Sequence, residues 1–408
     1  MNRVRYLICI LLMQAFIISC GAENNNEITA EPEFMQEATA EPITSEMAWE
    51  ASESQLAQMT LDEKVGQLFF VNLEILEPSK GIEHRYKKVT NRIREALTAY
   101  PVGGIYLSPE NMKSSQQVKK MTADLNGISK KIPLYISTKM PLYISTEEAG
   151  GEKNGYSGSS LPRYPELDET KIPEEITERA ERAGSQLKAL GINMNFAPSA
   201  NVAYDEITSF YANECFSSDE EIAADVVAAS VQGMKSNGVG TVLKHFPGLG
   251  SVSGNPVAGL INIENGLTQM REVDFVPFRS GIDAGTDMVL VSHVAVTKLT
   301  QDISPSSMSP VIINDILREE LGFNGVVITE AMNVPVITTH YNSGESAIQA
   351  LTAGADMILM PENLGMAFQA IKQAVINQTL SMERLDEAVR QILQNKIMQG
   401  IIVMEREK

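Results

Sequence analysis

Cysteine is scarce in this chain of 408 residues: there are three, at positions 9, 20 and 215. So few, set so far apart, exclude a disulfide framework and any cysteine-based zinc site, and no metal is expected. Positive charge is also short, with 33 Lys and Arg against 52 Asp and Glu and a net charge of −19. That balance excludes nucleic acid as a partner, because phosphates demand a basic surface, and it disfavours adsorption to anionic lipid. No G-x-G-x-x-G or Walker sequence occurs, so a phosphate-cradling loop is missing and no cofactor is expected.

What is present begins with two arginines, Arg3 and Arg5, ahead of an apolar run from Tyr6 to Ile18. The run falls short of the ~20 residues that span a bilayer but suits a signal-peptide core. It ends in Ile17-Ile18-Ser19-Cys20, which resembles a bacterial lipobox. On that reading residues 1–20 are a lipoprotein signal segment, and Cys20 carries the lipid that ties the protein to the outer side of the cell membrane. An ordinary signal peptide cleaved nearby is the alternative. Residues 21–54 read as a tether: nine glutamates lie between Gly21 and Glu53, with no lysine or arginine. Like charges and the twice-occurring T-A-E-P keep such a segment extended. Residues 55–408 then form the globular part.

From Thr60 onward apolar strand-like runs alternate with amphipathic helical stretches. Thr60-Leu61-Asp62-Glu63 has the spacing of a capping box. Strands are predicted within Gln67–Leu73, Gly104–Leu107, Pro141–Thr146, Ile192–Pro198, Thr241–His245, Met288–His293, Gly325–Thr329 and Asp356–Met360. Helices are predicted at Ile176–Leu190, Ser218–Ser236, Leu267–Ala284 and Pro310–Leu321. Eight strands alternating with helices point to a single α/β domain, a (β/α)8 TIM-type barrel. An open doubly wound sheet is the runner-up and lacks its phosphate loop. Lys131–Thr138 and Lys139–Thr146 are near copies, K-I-P-L-Y-I-S-T and K-M-P-L-Y-I-S-T. The second is the better third strand, because it runs straight into Glu147-Glu148. Lys396, late in the chain, reads as a surface charge.

Chemistry in a barrel gathers where strands end, because the loops there converge over one mouth. Those ends hold Glu147, Asn201, Lys244 with His245, His293 and Glu330. Taken singly, His245 or His293 also fits a hydrogen-bonded core histidine, and Lys244 fits a partner for a nearby carboxylate. Glu330, directly after the apolar run Gly325–Thr329, is placed to face the mouth.

The segment Gly240–Asn255, G-T-V-L-K-H-F-P-G-L-G-S-V-S-G-N, resembles the signature of family 3 glycoside hydrolases in their β-N-acetylglucosaminidase branch. The resemblance extends from about Leu56 to Ile401, through Gly191–Pro198, Leu317–Val327 and Ala353–Pro361. It implies an exported retaining β-N-acetylhexosaminidase acting on amino sugars in carbohydrate or peptidoglycan turnover, with a carbohydrate ligand at the barrel mouth. It places Glu330 at the nucleophile position, where the family has aspartate. Lys244, His245 and Glu147 fall where sugar hydroxyls are gripped, and the rim reading adds His293 as a substrate contact. The signature's second half is absent. Leu249 stands for a histidine, and Asn255-Pro256-Val257 stands where the family has D-S-H, the site of its His-Asp acid/base pair. Asn201 replaces an aspartate, and Glu152 and Glu214 occupy places usually held by arginine.

These departures have a physical cost. One extra methylene moves the nucleophile's oxygen by ~1 Å, a misplacement that can cost ~10²-fold. Loss of the general acid typically costs a further ~10²–10⁴-fold. Weakened hydrolysis is therefore expected, and a catalytically inactive barrel binding a glycan or a protein partner at the cell surface is the alternative. A carboxylate near Glu147, Glu148 or Glu152 is the conceivable surrogate acid.

Overall fold

The computed structural model describes residues 43–81, 84–129, 140–148, 173–205 and 209–403. The signal segment with Cys20, residues 21–42 of the tether, the first repeat copy and Glu152 lie outside the described residues.

Eight short strands carry the fold: β1 Phe69–Asn72, β2 Gly104–Tyr106, β3 Tyr143–Thr146, β4 Met194–Asn195, β5 Gly240–Phe246, β6 Met288–Val291, β7 Val326–Thr329 and β8 Ile358–Leu359. They pair in parallel in the order β7-β6-β5-β4-β3-β2-β1-β8. The ring closes where Ile328 bridges Met357 and the Thr329 amide donates to the Met357 carbonyl at 3.1 Å. The expected (β/α)8 barrel is the observed architecture. Every strand overlaps a run anticipated from the sequence, and β3 comes from the second repeat copy. The strands are buried almost throughout, because the barrel interior covers one face and the helices cover the other. Inside, Phe70 packs edge-on against Phe196 at 5.2 Å. Gly104 is required beside it, since a Cβ there would lie 2.5 Å from the Phe70 ring.

Strand β5 is irregular where the site begins. Leu243 pairs with Val289 and Phe246 with Val291, so β5 carries one residue more than β6 across this interval. Such a bulge re-aims side chains, here Lys244 and His245. Strand β4 is shorter than anticipated, and Pro198 beyond it has no N–H to donate to a ladder.

Two expectations are corrected. The structured unit starts at Ile43, so residues 45–54 of the segment read as tether lie in a helix, Ser45–Leu56. Ala48, Ser52 and Leu56 are buried there, and Glu53 pairs with Arg390 of the helix Met382–Met398. Lys396 is not a surface charge but is fully buried, donating to Gln67 Oε1 at 2.7 Å and sitting 4.8 Å from the Tyr143 ring. Burial without a carboxylate partner pulls its pKa down to about 7. The capping box is present as expected, with Thr60 and Glu63 opening the helix Leu61–Gln67. Among the described residues, no helix is long and apolar enough to cross a membrane.

Candidate active site

The C-terminal ends of β3, β5, β6 and β7, with the loop after β4, bring six anticipated residues together: Glu147, Asn201, Lys244, His245, His293 and Glu330. Lys244 is their centre, its side chain 6% exposed. It forms an ion pair with Glu147 at the end of β3 and lies 3.7 Å from Glu214 Oε2 on the loop after β4. Burial pulls the lysine's pKa down, but Glu147, Glu214 and Glu330 outweigh it and hold the ammonium above its ordinary value. Burial raises the Glu214 carboxyl; Lys244 opposes that rise and Glu147 adds to it.

Glu330, directly after β7, is buried, and burial raises its pKa to about 7. The backbone N–H of His293 donates to its Oε2 at 3.3 Å and, with Lys244, moderates that rise, while Glu214 adds to it. His293 itself is fully buried. Its Nδ1 meets Ser307 Oγ at 2.7 Å and its Nε2 meets the Ala331 carbonyl at 3.1 Å. Both ring nitrogens are thus engaged by the protein, and burial lowers the pKa to about 4. His293 meets the site through its backbone, as a support for Glu330.

His245 is also neutral, because burial and the adjacent Lys244 hold its pKa well below the ordinary range. Asn201 explains its orientation. The amide oxygen accepts from the backbone N–H groups of His245 at 3.4 Å and Leu249 at 2.9 Å. The amide nitrogen meets His245 Nδ1 at 3.3 Å, leaving Nε2 to carry the imidazole proton. An aspartate at position 201 would accept the same backbone bonds but would have no N–H for Nδ1.

Three side chains in this cluster were not among the residues anticipated as sugar contacts. Glu214 was noted only as a lost arginine, yet it is the second partner of Lys244. Tyr211 lies with its ring 5.0 Å from His245, and Tyr106 donates from its hydroxyl to Glu147 Oε2 at 3.4 Å. Burial first, and the neighbouring glutamates second, keep both phenols protonated. Tyr106 ends β2, so the rule that named the other rim residues reaches it. No such signal marks Tyr211, which lies far along a loop. Glu147, Glu214 and Glu330 thus surround a single cation, Lys244, so carboxyl groups outnumber cations in this cluster.

The loop after β5 carries Asn255, Pro256 and Val257 in place of ionisable side chains. Asn255 is exposed, and its Oδ1 accepts from the Val257 N–H at 3.1 Å. Val257 in turn accepts from the Val336 N–H at 3.1 Å, which ties the loop to the β7 side of the mouth. Beneath it, Asp274 accepts from the Tyr204 hydroxyl at 2.9 Å and from Asn265 at 3.2 Å. Gly248, at φ +118°, leaves no room for a Cβ, which would sit 2.8 Å from Asp274 Oδ1. Leu249, in the place of a histidine, is fully buried.

The model of the glycosyl hydrolase family 3 N-terminal domain matches residues 60–395. The beta-hexosaminidase of Stenotrophomonas maltophilia (strain K279a) is 31% identical over 304 residues, covering 71% of this chain and 86% of that protein. Beta-hexosaminidase A of Pseudoalteromonas piscicida is 26% identical over 328 residues; the match takes in 74% of this chain but only 54% of the relative. Among solved structures, a family 3 β-N-acetylglucosaminidase from Paenibacillus sp. str. FPU-7 superposes with a TM-score of 0.77 at 29% identity. That superposition covers 86% of this chain and 64% of the Paenibacillus one.

Proposed function

Because the chain belongs to glycosyl hydrolase family 3, in its β-hexosaminidase branch, we propose that it is an attenuated glycosidase for β-linked amino sugars. Glu330 carries that reading. It is a carboxylate at the tip of β7, in the same mouth as Lys244, held at a pKa of about 7 by burial. A group so placed can attack an anomeric carbon in the fraction of molecules where it is ionised. Its weakness lies in the loop after β5, where Asn255 and Val257 offer no acidic proton for the leaving group. Glu214 is a candidate substitute, since it lies 3.7 Å from Lys244 in the same mouth and burial raises its carboxyl. The proposal includes export and anchoring through Cys20, with residues 21–42 as spacer, on the strength of Arg3, Arg5 and the Ile17–Cys20 ending. Peptidoglycan fragments are the amino-sugar source that this location favours.

Leaving-group dependence is the test. An activated aryl group departs with little protonation, whereas an alkyl sugar needs an acid. Hydrolysis of an aryl β-N-acetylglucosaminide should be slow but measurable, should exceed that of the alkyl glycoside, and should vanish in Glu330→Gln. Replacing Asn255→Asp, Pro256→Ser and Val257→His together with Glu330→Asp should raise the alkyl rate. Brisk turnover of the alkyl glycoside by the unmodified protein would mean that another carboxylate serves as acid.

Binding without turnover is the second reading, favoured by the Lys244 ammonium being already shared between two glutamates. Saturable binding of N-acetylglucosamine with no hydrolysis of either glycoside would select it.

A further inference from the structure

The end of the barrel opposite the mouth holds a cavity of about 460 Å³. It opens among Gly354 and Asp356, which precede β8, the helix end carrying Arg318 that leads into β7, and the helices Ser45–Leu56 and Met382–Met398. A volume of this size lies within the ~300–1,000 Å³ of small-molecule sites. The chain's single tryptophan, Trp49, stands at its wall with half its surface exposed.

The charges in this cavity are spent inside its walls. Arg318 and Arg384 both bind Asp356, at 2.5 and 3.1 Å, and Arg384 also meets Glu387 at 3.5 Å. Arg390 pairs with Glu53. No cation is left without a carboxylate to select an anion. The groups that remain are neutral. Asn314 and Gln394 line the cavity half-buried, and neither side chain has a hydrogen bond among the described residues. An amide offers both donors and an acceptor, which matches a hydroxyl that does the same. A tryptophan face offers a rigid apolar platform with little entropy to lose.

From this combination we propose a second ligand site, separate from the mouth, that takes a short neutral saccharide. One C–H face of the sugar ring stacks on Trp49, and the hydroxyls pair with Asn314 and Gln394. The site needs neither Glu330 nor Lys244, so it stands or falls independently of the activity proposed above.

Trp49 is its own reporter, because no other tryptophan contributes to emission. The full chain is titrated with N,N′-diacetylchitobiose and with cellobiose at millimolar concentration while tryptophan fluorescence is read. A saturable change is expected with at least one disaccharide, unaltered in Glu330→Gln. Asn314→Ala with Gln394→Ala should weaken it at least ~10-fold, the loss of two hydrogen bonds. Trp49→Phe, followed by saturation-transfer NMR on the sugar, should weaken binding as well and covers the case in which the double variant fails to fold. No response to either disaccharide overturns the proposal. So does a response lost in Glu330→Gln, or one given by inorganic phosphate and by neither sugar.

Discussion

Lys244 and Glu147 join the ends of β5 and β3 in an ion pair, and the same ammonium lies 3.7 Å from Glu214. One buried cation thus holds two glutamates, themselves 28% and 29% exposed, beside a third at position 330. Lys244→Ala would leave those carboxylates facing one another. Removing one partner of a fully buried pair costs about 3–5 kcal/mol, and the partial exposure of the glutamates reduces this to about 2 kcal/mol. Glu214→Gln, which relieves repulsion as it loses attraction, should cost under about 1 kcal/mol. Urea unfolding of both variants checks this. Equal losses would mean that Lys244 is not the keystone of the cluster.

Glu330 makes a pH-dependent contribution with a definite sign. Its folded pKa, about 7, lies above the ordinary 4.5, so the native state holds this proton more tightly than the unfolded chain. The associated stability is complete below the unfolded value and is lost as pH rises through about 7. Glu330→Gln should therefore match the parent at about pH 4 and exceed it by about 2–3 kcal/mol at about pH 8. Thermal or urea unfolding at the two pH values reads the difference. The same ionisation governs attack, so any aryl-glycoside hydrolysis should climb between about pH 6 and pH 8.

Lys396 titrates in the opposite sense. Its folded pKa of about 7 lies below the ordinary 10.5, so the native state favours the neutral amine. Stability from this group is present above the unfolded value and lost as pH falls toward 7. Lys396→Met fits the same space without a charge, but it strips Gln67 Oε1 of its donor. The offset between variant and parent should move steadily in the variant's favour from about pH 10 down to about pH 7. A constant offset across that range would place the amine in contact with water.

The anchoring expectation is tested with Cys20→Ala. Blocked processing or release from the membrane fraction is the expected result, read by fractionation and by migration of the precursor. A variant that fractionates and migrates like the parent would remove the lipobox from consideration.

The barrel was legible because its signals are local. Period, capping chemistry and turn residues act within a few positions, and each of the eight strands overlaps its apolar run. The rim rule located Glu147, Lys244, His245 and Glu330 for a related reason: in a barrel, the end of a strand is also a place in space. The departure from the D-S-H pattern was equally plain, because Asn255 and Val257 are not acidic side chains in any fold.

Partnership was settled only by the tertiary structure. Nothing near position 244 in the sequence says that Glu147 and Glu214 will share its ammonium, since those contacts span 97 residues in one case and a separate loop in the other. His293 looked like a ligand-facing imidazole until Ser307 and Ala331 were seen to occupy both its nitrogens. Lys396 looked like a solvated charge until Gln67, 329 residues away, was found as its partner. Residue type determines what a group is able to do. Burial and its neighbours, which arise only when distant strands and helices close on one another, decide its charge and what it holds.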